Sequence, residues 1–284
     1  MQDQRVNNAD ILTGRRIWVT AERRAGHQKR YLDARGATVL MAPLMETVDD
    51  TGCTDVGAVS ERLIDRPPEI FIVQTGQGIS WWMERLTQDQ QDRLTTSLCT
   101  STVWSRGAKS TSRCRSLGLD VSWQAPDETA REVAERCRSL TPGTRVAVQL
   151  VGTVHDVIVD ALEAVDADIE YMRIYRYRIP ADTSAALELI DATITGDIDA
   201  ITFTASPAIS HLREIASRAG LIGDLDNALR SACVPVVVGP VCAATAVDAG
   251  WTGIIEPDVA RLIPMLDALT AALGAPSSTR RPTR

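Results

Sequence analysis

Tyrosines and arginines alternate through one short stretch, DIEYMRIYRYRIP, which carries Tyr171, Arg173, Tyr175, Arg176, Tyr177 and Arg178. A phenol can donate a proton to a departing group, and Tyr175 is the best general acid in the chain. Arginine adds a planar donor fork suited to carboxylates and phosphates. In an extended segment Arg173, Tyr175 and Tyr177 share one face, and Ile174, Arg176 and Arg178 the other. Other catalytic equipment is thin. No Ser-His-Asp arrangement suggests itself. His155 follows a strand-end loop, while His27 and His211 read as surface or helix residues. The cysteines (Cys53, Cys99, Cys114, Cys137, Cys233 and Cys242) form no CxxC pair, and no zinc-ligand spacing is present. They read as reduced, mostly buried thiols. Such a set implies a reaction in which positioning matters more than strong acid-base groups.

Short loops that follow apolar runs form the second group of candidates. In VPVVVGPVCAATAVDAGW (Val234 to Trp251) a strand ends at Gly239 and a helix starts near Cys242. Backbone N–H groups at such a junction can hold an anion. The stretch lacks the lysine and second glycine of a Walker loop, and it lacks the GxGxxG of a dinucleotide site. Four other loops have the same setting: QTGQG (Gln74 to Gly78), SRGAKS (Ser105 to Ser110), LVGTV (Leu150 to Val154) and TASPA (Thr204 to Ala208). They offer hydroxyls at Thr75, Ser105, Thr204 and Ser206, and Arg23, Arg24, Arg106 and Lys109 sit beside such loops. Each residue alone suits helix capping or a solvated surface. Together they suggest a ligand with many acceptor oxygens, a polycarboxylate above all.

The elements that must position these groups read as short apolar strands alternating with helices. The strands are RRIWVTA, ATVLMAPLMETV (which Pro43 keeps out of a sheet centre), EIFIVQT, STVWS, DVSWQA, RVAVQL, DAITFTA, VPVVVG and a short GIIEP. Helices fall between them, with one through Trp81, Trp82 and Leu86 and another over Pro207 to Ala219. The pattern predicts parallel sheets covered on both faces. An internal echo places Gly107 on Gly239, Gly118 on Gly250, Thr75 on Thr204 and Val146 on Ile17, so the chain reads as two similar α/β halves. The first strand-helix unit matches the last of the middle section, which predicts a domain completed by both chain ends. The first domain is expected over 1–43 plus 177–284 and the inserted second domain over 44–176. Two extended crossings are expected at about 40–48 and 171–179, with an interdomain cleft as the small-molecule site. Residues 1 to about 13 read as a loose arm, and the tail from about 275 to 284 as disordered.

The bulk properties narrow the partners. The chain has 284 residues, 44% hydrophobic content and a formal net charge of -7, which argues against nucleic acid. No apolar run approaches the length of a membrane span, and the N-terminus MQDQRVNNAD is polar, so a cytoplasmic protein with no membrane partner is expected.

Taken in order, VTAERRAG, EIFIVQTGQGISWW, RGAKSTSRCRSLGL, RVAVQLVG, IYRYRIP, DAITFTASPAISHL and VGPVCAATAVDAGW make the chain resemble the uroporphyrinogen-III synthase family from Leu12 to Leu273. It looks most like the actinobacterial branch, some members of which continue into a DNA-binding winged-helix domain; this chain is read as ending before one. The resemblance implies two similar three-layer α/β domains, each on a parallel sheet, joined by a two-stranded linker. It implies cyclisation of hydroxymethylbilane, a linear tetrapyrrole with eight carboxylates, with loss of water and inversion of the last ring. No cofactor and no metal are implied. The expected partner is the substrate, with hand-off from hydroxymethylbilane synthase left open, and the expected state is a monomer. A family tyrosine that helps the hydroxyl depart falls on Tyr175. The substrate-binding positions are carried onto Arg23, Thr75, Gly76, Arg106, Lys109, Gly152, Arg173, Thr204, Ser206, Gly239 and Cys242. The chain departs from the family at Gly76 and Ala205, where serine is common, and at Cys242, where threonine is frequent. These departures leave open a second reading, a non-catalytic tetrapyrrole-binding sensor or regulator. A periplasmic-type binding protein, similar in its two lobes, is a third class that the absence of an export signal disfavours.

Overall fold

The computed structural model describes residues 10–49, 55–152 and 156–274. Part of the expected arm (residues 1–9), Cys53, His155 and the expected tail 275–284 lie outside the described residues. The chain divides into two compact units, residues 1–46 with 178–284 and residues 47–177.

The first unit holds a parallel sheet built from β1 (Arg16–Val19), β2 (Thr38–Met41), β10 (Ala200–Phe203) and β11 (Val234–Val237), in the order β11-β10-β1-β2. The helices of this unit are α1 (Ala25–Asp33), α8 (Ser184–Ile194), α9 (Ser206–Arg218), α10 (Ile222–Ser231), α11 (Pro240–Asp248) and α12 (Leu262–Gly274). Successive strand residues point to opposite faces. Trp18, Ile201 and Phe203 therefore pack under one helix layer, and Ile17, Val19 and Ala200 under the other. The second unit holds a parallel sheet of β4 (Ile70–Val73), β5 (Thr102–Ser105), β6 (Val121–Gln124), β7 (Arg145–Leu150) and β8 (Asp168–Arg173), in the order β6-β5-β4-β7-β8. Its helices are α2 (Val56–Asp65), α3 (Gly76–Glu84), α4 (Gln88–Leu98), α5 (Ala108–Ser116), α6 (Ala130–Cys137) and α7 (Val157–Glu163). Phe71 and Val73 face one layer and Ile70 and Ile72 the other, so β4 is buried on both sides. The remaining strands, β3 (Glu46–Asp49) and β9 (Tyr175–Arg178), pair as a two-stranded ladder.

The two sheets share one register. In the first, Ile17 sits opposite Ala200, and Ala200 opposite Val234. In the second, Val146 sits opposite Ile70, and Ile70 opposite Thr102. Helices α5 and α11 both end at a glycine with left-handed φ, Gly118 at 79° and Gly250 at 78°, where a side chain would be strained.

The structure differs from the sequence reading in five places. Helix α4 stands where the sequence pattern shows no helix, because its QDQQDRLTTSL is polar and buries only Leu94, Ser97 and Leu98; the Thr87–Gln90 capping box starts it. Helix α10 is a second addition. The GIIEP strand is reduced to one bridge, Val236 to Ile255. Leu12 is fully buried and its N–H donates to the Arg35 carbonyl, so the loose arm does not extend to residue 13. Tyr171 and Arg173 belong to β8 in the sheet, because full pairing with β7 continues to Leu150–Arg173.

Candidate active site

At the carboxyl end of β4, Thr75 is the N-cap of α3. Its Oγ1 accepts the Gly78 N–H at 3.0 Å, the usual capping bond. The same oxygen lies 3.1 Å from the Tyr175 hydroxyl. Gln149, at the end of β7, completes the cluster. Its Oε1 accepts the Thr75 N–H at 3.0 Å and lies 3.4 Å from Thr75 Oγ1. Gln74 is also buried, and its Nε2 donates to Asp156, the N-cap of α7, at 2.7 Å.

Tyr175 is 1% exposed. Its ring meets Trp81 of α3 edge-on at 5.4 Å and Tyr177 at 5.5 Å, the geometry preferred by aromatic quadrupoles. Arg85 donates to the Trp81 carbonyl and to Asp49 of β3. The tyrosine is thus held on one side by α3 and on the other by its own strand. Tyr175 and Tyr177 share a face, as alternation predicts. Arg173 ends β8, and fully buried Ile174 separates it from Tyr175, which opens β9.

The N-termini of α3 and α5 converge beside this cluster. A Cβ on Gly76 would lie 2.6 Å from the Lys109 carbonyl oxygen, so serine cannot stand there without a backbone shift. Two positive helix ends and the cations Arg106 and Lys109 then share one rim. Neither cation has a side-chain partner among the described residues. One anion seat here is already taken: Ala108 N–H, in the first turn of α5, donates to the Glu128 carboxylate at 3.1 Å. Glu128 itself has a left-handed φ of 56°. A Cβ on Gly107 would meet the Glu128 side chain at 2.9 Å. Ser105 is buried and bonded to Thr111, so its hydroxyl is not offered to a ligand. Gly152 follows β7 with a left-handed φ of 93°, and a Cβ there would meet nothing within 4 Å among the described residues.

The first unit repeats this end of the sheet with different side chains. The N-cap of α9 is Ala205, which makes no side-chain cap. By sheet register Ala205, rather than Thr204, is the counterpart of Thr75. Thr204 and Ser206 are half-buried and have no side-chain partner among the described residues; Arg23 is exposed and likewise unpaired. Gly239, the N-cap of α11, is where the fold brings Ala260 close: a Cβ on Gly239 would lie 2.6 Å from Ala260 Cβ. Ala260 thus stands where the second unit has Glu128, and no carboxylate reaches the α11 amides from that position. Val241 and Val259, both within two residues of this contact, are each 51% exposed. Cys242 faces the core, and burial pushes its thiol up to about 12. It is a packing residue here and not part of the rim.

Thr75 and Tyr175 are legible in the sequence as candidates, and the structure joins their hydroxyls. Gln149, Gln74, Trp81 and Glu128 are not singled out by the sequence as site residues. A glutamine inside the apolar run RVAVQL is the available signal for the first of these. Among the described residues, no cluster of His, Cys, Asp and Glu could hold a metal ion, and no helix is long and apolar enough to cross a membrane.

A family model described as uroporphyrinogen-III synthase HemD matches residues 27–267. Among curated proteins, the uncharacterized protein YjjA of Bacillus subtilis (strain 168) is 23% identical over 263 residues, covering 90% of this chain and 94% of that protein. A putative uroporphyrinogen-III synthase of Methanothermobacter thermautotrophicus is 29% identical over 160 residues, covering 55% of this chain and 61% of that one. Among solved structures, a mutant uroporphyrinogen III synthase from the extremely thermophilic bacterium Thermus thermophilus aligns with a TM-score of 0.73 at 24% identity, over 91% of this chain and 98% of that one. Uroporphyrinogen-III synthetase from Helicobacter pylori 26695 aligns at 0.51 and 13% identity, over 91% and 99%. At these identities the structural likenesses speak for the fold.

Proposed function

The chain belongs to the uroporphyrinogen-III synthase family, and on that premise we propose that it cyclises hydroxymethylbilane to uroporphyrinogen III. The observation that carries the reading is the contact between the Thr75 and Tyr175 hydroxyls at the carboxyl end of β4. Loss of hydroxide from a hydroxymethylpyrrole is driven by the ring nitrogen lone pair and needs a proton on the leaving oxygen. Tyr175 supplies that proton and the C–O bond breaks to release water. Thr75 then donates its hydroxyl hydrogen to the phenolate. The cation is attacked by the last pyrrole ring at its substituted α carbon. The bond from that carbon to its old methylene bridge then breaks. The methylene cation so released closes on the ring's free α carbon, which inverts the ring, and the proton lost there returns to Tyr175. The net change is loss of one water, so no redox equivalents are consumed.

Binding falls to the strand-end rims. In the second unit we assign Arg106, Lys109 and Arg173 to substrate carboxylates, with Gly76 and Gly152 allowing close approach. In the first unit we assign the open amides after Gly239, with Thr204, Ser206 and Arg23. The exposed Val241 and Val259 suit the apolar faces of pyrrole rings that carry acids at their edges. Burial of the Cys242 thiol removes it from this set.

One observation favours the second reading, a protein that binds a tetrapyrrole without turning it over: Tyr175 is 1% exposed, so substrate must displace whatever covers its hydroxyl. Mixing the purified protein with freshly made hydroxymethylbilane separates the two. The synthase reading expects saturable consumption well above the protein-free rate. Binding that protects the substrate, or leaves its rate unchanged, supports the second reading.

A further inference from the structure

We propose that Gln149 is a positioning residue for the Thr75–Tyr175 pair, an inference that rests on the reading above. Gln149 is fully buried at the end of a central, largely apolar strand. Its side chain occupies space that exists only because residue 78 is glycine: a Cβ there would lie 2.0 Å from Gln149 Nε2. The amide can sit only one way round. Nε2 donates to the Leu150 carbonyl at 2.7 Å while Oε1 accepts from Thr75 N at 3.0 Å; a flip would set donor against donor and acceptor against acceptor. Gln149 thereby fixes the backbone of the residue whose hydroxyl meets Tyr175.

Hydrogen counting says what this achieves. Thr75 Oγ1 already accepts the Gly78 N–H and has one hydrogen to give. It has two acceptors in range, Tyr175 at 3.1 Å and Gln149 Oε1 at 3.4 Å. With the hydrogen on Gln149, the phenol hydrogen points at Thr75. When the phenol turns its proton to the leaving oxygen, the Thr75 hydrogen swings from Gln149 to the phenol oxygen. Gln149 Oε1 stays satisfied by the Thr75 N–H throughout, so the switch leaves no buried acceptor unpaired. The first unit has none of these parts: the counterpart of Gln149 is Thr20, bonded to the Thr202 carbonyl, and that of Thr75 is Ala205.

Gln149→Met and Gln149→Glu test the assignment, each in wild-type and Tyr175→Phe backgrounds. Gln149→Met is expected to lower kcat at least about tenfold with KM nearly unchanged, and to have no further effect when Tyr175 is already Phe. Equal losses in both backgrounds would overturn the proposal. The protonated carboxyl that Gln149→Glu introduces offers the same acceptor and donor as the amide, and burial raises its pKa. Gln149→Glu should therefore work at low pH and fail as the carboxyl ionises, because a negative charge then opposes phenolate formation. A pH profile parallel to wild type would overturn the proposal, and this variant carries the test if Gln149→Met does not fold. If the wild type proves inactive, the functional reading fails, but the positioning claim is still measured by NMR with ring-labelled tyrosine. The Tyr175 ring carbon signal should then move in Gln149→Met while those of Tyr31 and Tyr171 stay; an unmoved Tyr175 signal would refute it.

Discussion

A single hydroxyl separates Tyr175 from phenylalanine, and the departure of water is assigned to that hydroxyl. Because the ring packs against Trp81 and Tyr177, Tyr175→Phe keeps the packing and loses only the bond to Thr75. Turnover should fall by about 10²- to 10⁴-fold, the range for a general acid, while the thermal midpoint moves little. An unchanged rate removes Tyr175 from its role. The cysteines give a second test at this scale. Cys242 is buried with its thiol raised to about 12, whereas Cys99 is exposed. Brief alkylation of native protein near pH 8 should label Cys99 and spare Cys242 until the chain is unfolded, as peptide mass mapping would show. Early labelling of Cys242 would return it to the rim. In the sequence alone Cys242 reads as a helix-start group open to ligand. A residue in the first turn of a helix can face solvent or core, and only the packing of α11 on α9 decides which.

At the next scale, the proposed binding rests on helix termini. Strand ends and helix starts are legible because apolar runs stop at glycine, threonine and serine, and Thr75 does cap α3. Which termini stay open is not legible. That depends on a side chain more than a dozen residues downstream, Glu128 in one unit and Ala260 in the other, brought back by the loop after the next strand. Glu128→Ala frees the Ala108 amide, and Ala260→Glu offers a carboxylate to α11. The first change should tighten tetrapyrrole binding, and the second weaken it, each by about two- to fivefold at low salt and less at high salt. Titration by intrinsic fluorescence would measure both; shifts of the same sign in the two variants would exclude a role for these amides. The polar helices α4 and α10 escape a sequence reading for a related reason. Their apolar stripes are too narrow to stand out until α2 and α8 are seen packed beside them.

At the scale of the whole chain, the internal echo is the most informative feature of the sequence. Gly107 with Gly239 and Val146 with Ile17 are few matches, yet by sheet register they mark equivalent positions in the two units. One pair, Thr75 with Thr204, is out by a residue, which sequence cannot detect where both neighbours are small. The correction matters, because it puts Ala205 at the helix-cap position of the first unit and leaves the Thr75–Tyr175 hydroxyl pair in the second. On the proposed reading, the repeated fold supplies two rims for acids and one tyrosine for chemistry. The most direct test of that division is the isomer distribution of the product. Purified protein is given fresh hydroxymethylbilane, the products are oxidised, and the porphyrin isomers are resolved. Isomer III is expected as the main product, at a rate proportional to protein. Isomer I alone, formed at the rate of spontaneous closure, would contradict it.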